Sequence, residues 1–245
     1  MAFDSAVFWD ALFSRSYLNG AFVALSLATL VQFFAIVIGF FLALGRESQK
    51  TVLRYFTSAY VWVFRAIPAL LILILVWNVL PQLVPTLRSS WFTPYMGALV
   101  GLTLLEAALM TEIIRSSLRS VDKGQKLAGK AIGLTPRQIY WHVLIPQMIR
   151  VAIPPTGNQY INMIKMTSLA SVISLQELLY VAQQNVSRTF SYMEYYSAAA
   201  VYYLVIVSVL MVIQARLEKK YMWTSRVAPG NFDVRNIKTW GINNG

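Results

Sequence analysis

The run Gly124-Gln125-Lys126-Leu127-Ala128-Gly129-Lys130-Ala131 meets the pattern G-x-x-x-x-G-K-[ST] at every position but the last. In that pattern glycine-rich backbone amides cradle phosphates, the lysine reaches their outer oxygens, and a Ser or Thr hydroxyl holds Mg²⁺. Ala131 stands where the hydroxyl belongs, so the metal loses a ligand. A phosphate loop also has to follow a strand and open a helix. Here an apolar run precedes it, and no hydrophobic strand ending in Asp follows. The chain is therefore expected to bind no ATP itself, and the run must serve another purpose.

Other chemistry has little to work with. The chain has no cysteine and a single histidine, His142, which excludes disulfides, thiolate nucleophiles and any Cys or His metal cluster. A surface position explains His142. What stands out is a small set of ionisable and amide side chains inside apolar runs: Arg65, Glu106 and Lys165, with Asn158 and Asn162. The last two and Lys165 follow at i, i+4 and i+7, so they share one helical face. An ionisable group at the centre of a bilayer costs about 2.5–3.5 kcal/mol on insertion scales. Each of these groups thus needs a partner or a watery cavity. Glu112, at the end of its run, pairs naturally with Arg115 at i+3.

The elements that must position these groups are membrane helices. With 57% hydrophobic and 13% charged residues and a mean hydropathy of +0.56, the chain is too apolar for an ordinary soluble domain. Residues 16–45, 66–87 and 195–215 contain no Asp, Glu, Lys or Arg, and a helix crosses a bilayer in roughly 20 apolar residues. Two further runs, 89–114 and 151–176, are interrupted by Glu106 and Glu112 in one and Lys165 in the other. The reading is an all-α integral membrane protein with five spans, near 19–44, 58–80, 95–116, 151–174 and 195–215.

Local signals refine these spans. Pro68 should bend the second one, and Pro154-Pro155 should open the fourth. Gly97 and Gly101 form a G-x-x-x-G pair, continued by Ala108, that lets another helix approach closely; Gly39 reads as a packing contact. Trp77, Trp91 and Tyr95 flank an outer loop at headgroup level. No basic residue precedes Arg15, so the amino-terminal region lacks the positive start of a cleaved signal, and its apolar run should stay as a span.

Five spans make the intervening segments alternate between sides, and the basic residues are sorted accordingly. Of 21 Lys and Arg, all but Arg15, Arg65, Arg88, Lys165 and Arg188 fall in segments 46–54, 115–150 and 216–238. The positive-inside rule then puts the N-terminus outside and the C-terminus in the cytoplasm. The net charge of +11 needs no nucleic-acid partner. The chain divides into an external segment 1–18, a transmembrane domain 19–220 with a cytoplasmic loop 122–146, and a cytoplasmic tail 221–245.

Within that loop, Gly133 has the position of a helix-ending residue at positive φ. Thr135-Pro136-Arg137-Gln138 is a capping box with proline at the first helical position. Two short helices around a Gly turn are predicted, the second with an apolar face built from Ile139 with Val143 and Tyr140 with Leu144.

The residues from Glu112 to Arg150 resemble the cytoplasmic loop of ATP-binding cassette (ABC) importer permeases, and more narrowly of the polar amino-acid permease family. That family's loop reads E-I-x-R-G-x-x-x-x-x-x-K-G-Q-x-E-A-A-x-A-L-G and then L-P-Q. Glu112, Ile113, Arg115, Lys123, Gly124, Gln125, Ala128, Ala131, Gly133, Pro146 and Gln147 match it. Phe64-Arg65 with Pro68 is similar to the family's F-R-G-T-P, and Lys165 with Thr167-Ser168-Leu169 to its K-D-T-S-L. The chain departs at Leu127, where the family has Glu, at Gly129 for Ala, at Ser116 for Gly and at Met166 for Asp.

The resemblance implies a type I importer permease whose loop docks in a groove of a separate ATPase dimer. Gly124, Gln125, Leu127, Ala128, Gly129, Ala131, Gly133 and Leu134 are the residues implied to couple. It further implies a second permease subunit, identical or homologous, an extracytoplasmic solute-binding protein, and a place in the bacterial inner membrane among its lipids. ATP and Mg²⁺ would belong to the partner, with no cofactor or metal on this chain and no covalent chemistry. A zwitterionic amino acid needs a cation for its carboxylate, from Arg65 or Lys165, and an acceptor for its ammonium, from Glu106; Asn158 and Asn162 would add neutral hydrogen bonds. The bland alternative is bracing, Arg65 with Glu106 and Lys165 with carbonyls. A rival function is an ion-coupled secondary transporter working without an ATPase, which would call for inverted repeats with broken helices.

Overall fold

The computed structural model describes residues 3–221, and every regular element among them is helical. A short amino-terminal helix, α1 (Ser5–Leu12), is capped by the Asp4 carboxylate, which accepts from the amides of Ala6 and Val7. Then comes α2 (Arg15–Arg46), whose first turn is closed by Ser14 accepting from Tyr17 N. Within the expected 1–18 segment, the described residues thus hold α1 and the first turn of α2.

Three helices are long and apolar enough to cross a membrane: α2, α6 (Pro94–Ser120) and α11 (Tyr192–Tyr221). A fourth candidate is broken. α3 (Thr51–Ala66) ends before Pro68, and α4 (Ala69–Ile74), a π-helical turn (Leu75–Val79) and α5 (Leu80–Leu83) leave at 105° to it. The span expected at 58–80 with a bend is therefore two helices with a corner. The break has a local cause: Ile67, the residue before proline, is extended at φ −87, ψ 133, because the proline ring disfavours the helical region for its predecessor. α9 (Ile145–Met166) has 22 residues, but Asn158, Asn162 and Lys165 lower its hydropathy, so length and composition alone do not make it a fifth span.

The region after α6 differs from expectation in connectivity. α7 (Lys123–Ala131) turns at Gly133, and α8 (Pro136–Gln138) passes through a π-helical segment (Ile139–Leu144) directly into α9. The second helix is consequently no free-standing piece but the lower end of α9. Pro154 and Pro155 lie inside α9 rather than at its start. After α9 a 3-10 segment (Thr167–Ile173) ends at Ser174, and α10 (Leu178–Thr189) leads into α11.

The bundle is organised around α2 and α6, which pack along each other. α2 buries a stripe of small residues, among them Gly20, Ala24, Ala28, Ala35, Gly39 and Ala43, and sends Phe22, Phe33 and Phe41 outward. Where lipid tails are as apolar as leucine, close van der Waals contact between backbones is what holds helices together. Gly39 shows the closeness: a Cβ there would sit 2.7 Å from Met110 Cβ on α6. Gly97 and Gly101 serve the same end against the π turn and α4, since a Cβ on Gly97 would meet Trp77 at 2.9 Å and one on Gly101 would meet Leu73 at 3.2 Å. The tail from 222 onward lies outside the described residues.

Candidate functional site

Two regions carry the residues singled out from the sequence. In the first, the α7 hairpin, the phosphate-loop spacing falls on a helix. Residues 124–131 lie within α7, so the amides beyond its first turn are engaged in helical hydrogen bonds and the run is no loop wrapped around a phosphate. Asp122 caps the start, its Oδ1 accepting from Gly124 N. The end is a Schellman closure: Leu134 N–H donates to Gly129 O at 3.0 Å and Gly133 N–H to Lys130 O at 3.0 Å, with Gly133 at φ +82. Thr135 and Gln138 form the capping box, Gln138 Oε1 accepting from Thr135 N at 2.8 Å.

This closure divides the eight coupling candidates. Leu127, 66% exposed, points outward beside exposed Gln125, Ala128 and Ala131, with Ile132 at 76% exposed. Gly124 belongs to the cap and Gly133 to the turn. Gly129 and Leu134 face inward: a Cβ on Gly129 would lie 3.0 Å from Ile139 Cγ1, and Leu134 packs on the same cluster. The apolar face expected of Ile139 with Val143 and Tyr140 with Leu144 is regrouped. Across the π segment, whose wider turn brings i and i+5 onto one side, Ile139 and Leu144 are the pair buried against the bundle.

The hairpin end of α6 is tied down by an ionic network of which the sequence disclosed only Glu112 with Arg115. That pair lies at 3.7 Å, but Glu112 also accepts from Arg46 of α2, and Arg65 approaches it to 3.9 Å. Glu47, at the carboxyl end of α2, accepts from Arg115 Nε and Arg119 Nε at 2.9 Å each. Partial burial pushes the Glu47 carboxyl up, but its hydrogen bonds from Arg119 and Arg115 outweigh that and leave it below the usual carboxylate range. A carboxylate at a helix carboxyl end opposes the helix dipole, a signal that Glu47 had to be compensated from elsewhere.

The second region lies inside the bundle. Glu106 on α6 is fully buried, and neither of its oxygens has a hydrogen-bond partner among the described residues. Gln159 of α9 stands beside it without a hydrogen bond of good geometry. Gln32 Oε1 of α2 and Thr103 Oγ1 of α6 are also buried and unpartnered. The contrast is Glu177, equally buried, whose carboxylate accepts from Leu179 N, Tyr180 N and the Tyr203 hydroxyl at 2.8–2.9 Å. One buried carboxylate is built into the structure; the other is left open.

The structure does not bring the five path candidates into one cluster. Arg65 is half-exposed and joins Glu112 in a concavity of about 400 Å³ with Arg46 and Trp62; bracing of Arg65 by Glu106 is therefore not observed. Asn158, Asn162 and Lys165 do share one face of α9, and it is exposed. Asn162 Nδ2 donates to Gln159 Oε1 at 3.2 Å, so Gln159 joins that face to the side chain of Glu106. Gln159 and Gln32 were missed; an uncharged amide inside an apolar run is the signal that would have found them.

Comparison with known proteins extends over most of the chain. Residues 35–223 match the family described as binding-protein-dependent transport system inner membrane component. A probable amino-acid permease protein of Bacillus subtilis, YxeN, is 36% identical over 197 residues, covering 80% of this chain and 87% of that one. The arginine transport system permease protein ArgU of Corynebacterium glutamicum is 34% identical, covering 89% and 73%. Among solved structures, an amino acid ABC transporter crystallised with histidines superposes with a TM-score of 0.80 at 28% identity, covering 90% of this chain and all of its own. The MetNI methionine ABC transporter, at 19% identity and a TM-score of 0.71, shares the fold.

Proposed function

The chain belongs to the family of binding-protein-dependent transport system inner membrane components, and from that premise we propose how it works as the permease subunit of an ABC importer. It is a transport subunit and not an enzyme. The solute is a polar amino acid, in keeping with relatives named for arginine and for amino acids generally. The chain sits in the bacterial inner membrane with α1 outside and the α7 hairpin in the cytoplasm. α9 completes five spans in the assembled pore, its polar face turned away from lipid toward the path and a second permease subunit. A solute-binding protein delivers from outside, and ATP and Mg²⁺ are handled by two ATPase subunits.

The observation that carries this reading is the outward display of Leu127 and Ile132, 66% and 76% exposed, on a hairpin that is otherwise locked to the bundle through Gly129, Leu134 and Ile139. Exposed apolar side chains on a rigid knob suit a hydrophobic groove on a partner. A push on α7 passes through Ile139 and Leu144 into α9 without crossing a flexible joint. Leu127 fills the groove by apolar contact where the family uses a carboxylate.

In the path, the Asn158, Asn162 and Lys165 face binds the solute carboxylate and neutral groups, and Glu106 supplies an acceptor for its ammonium from behind Gln159. The test is uptake by the purified assembly in vesicles. Leu127→Arg, which puts in the groove neither an apolar side chain nor the family's carboxylate, should leave the complex assembled but lower solute-stimulated ATP hydrolysis and uptake by tenfold or more. Full uptake in that variant, or uptake by the permease alone driven by a proton gradient, would overturn the proposal.

A further inference from the structure

The hairpin end of the bundle holds a groove that neither the coupling hairpin nor the solute path uses. It has a volume of about 620 Å³ and runs between α2, α9 and α11, with walls that include Val37, Phe41, Ile145, Ile149, Ile153 and Leu217. Its few polar atoms are largely engaged: the Gln214 amide donates to Pro154 O and to Glu218 Oε1, both at 2.9 Å. α9 is two-sided in this respect. Ile149, Ile153 and Thr156 line the groove, while Asn158, Asn162 and Lys165 lie nine residues further on in turn. Nine residues at 3.6 per turn is two and a half turns, so the groove and the polar face are on opposite sides.

We propose that this groove is a binding site for an anionic phospholipid, with an acyl chain along α9 and the phosphate against Arg137. Three observations select that occupant. First, α2 and α11 are both span candidates, and the groove opens on their outward faces, where Phe41 is 66% exposed. Second, Ile145 to Gly157 extends about 18 Å at 1.5 Å per residue, close to the roughly 15 Å depth of one leaflet of the hydrocarbon core. Third, the apolar wall ends at Trp141, 58% exposed, and Trp141 also lines a second concavity of about 280 Å³ with Arg137, Gln138 and His142. Trp is the residue of the headgroup boundary, and a guanidinium suits a phosphate.

The charge around the mouth agrees. Arg137 forms no ion pair among the described residues, and no carboxylate lines either concavity. Glu218, close by on α11, is held by Gln214 and flanked by Lys219 and Lys220. Basic pockets between helices at a membrane surface are known to hold anionic headgroups. The site also touches the π segment that joins the hairpin to α9, so a seated lipid braces the element through which the hairpin moves the bundle.

The assembled transporter is placed in bilayer discs of phosphatidylcholine with or without phosphatidylglycerol, released, and weighed by native mass spectrometry. Wild type should retain phosphatidylglycerol over phosphatidylcholine by roughly fivefold, the effect of about one basic side chain on an anionic headgroup. Arg137→Gln should bring the ratio near unity while lipid is still retained, and Ala152→Trp, which fills the groove, should release both lipids. The chain lacks cysteine, so Ala152→Cys reports on the groove in an assembly that is otherwise wild type in this subunit. Equal retention of both lipids by wild type, an unchanged ratio in Arg137→Gln, or an Ala152→Cys disulfide to a second copy of this chain would overturn the proposal.

Discussion

Two buried glutamates make the residue-scale argument. Glu177 accepts two backbone amides and a tyrosine hydroxyl, and serves as the amino-terminal cap of α10. Glu106 has no such partners among the described residues, so it weakens the fold as it stands, and a role outside the resting fold accounts for its presence. Glu106→Gln should therefore keep or raise the thermal midpoint of the purified complex while uptake falls by at least tenfold. Retained uptake would reduce Glu106 to packing. Glu177→Gln should do the reverse, lowering the midpoint with a smaller effect on transport per folded complex. At Gly39, where a Cβ would meet Met110 at 2.7 Å, Gly39→Val should destabilise by about 1–3 kcal/mol or more through overpacking of α2 on α6, read as a lowered midpoint.

At the scale of elements, the hairpin is specified almost wholly by local chemistry. The Schellman closure and the capping box satisfy the helix ends on each side of the turn, and both were legible as Gly133 and Thr135-Pro136-Arg137-Gln138. Thr135→Ala should cost about 1 kcal/mol, visible as faster hydrogen exchange of the Gln138 and Ile139 amides with exchange in α2 unchanged. The Glu47 network adds a pH dependence. Its carboxyl is depressed in the folded chain, so its contribution is complete above the ordinary carboxylate pKa and is lost as pH falls through the lower folded value. Protection of the last turn of α6 should thus fall on acidification below about pH 4, and Glu47→Gln should flatten that dependence. The effect is small, because the side chain is a third exposed and solvent screens it.

For the whole molecule, the proposed orientation is testable because the chain has no cysteine of its own. A single cysteine at Leu127 should resist a membrane-impermeant maleimide added to intact cells, whereas one at Thr189, the last residue of α10, should react; the reverse pattern would invert the topology. What the sequence determined by itself is of two kinds. Lengths of apolar chain and turn chemistry settle helices, membrane residence and the hairpin, because each depends on a residue and its near neighbours. Tertiary structure alone decided the rest. Pro68 announces a break, but its 105° corner depends on α4 packing against α6 through Gly101. Arg65 and Glu106 are both ionisable residues in apolar runs, yet one meets Glu112 near the hairpin end and the other lies unpartnered inside the bundle. Charges separated by many turns of chain acquire partners only when α2, α3 and α6 converge, and helical periodicity in any one of them says which side a residue is on but not what stands opposite.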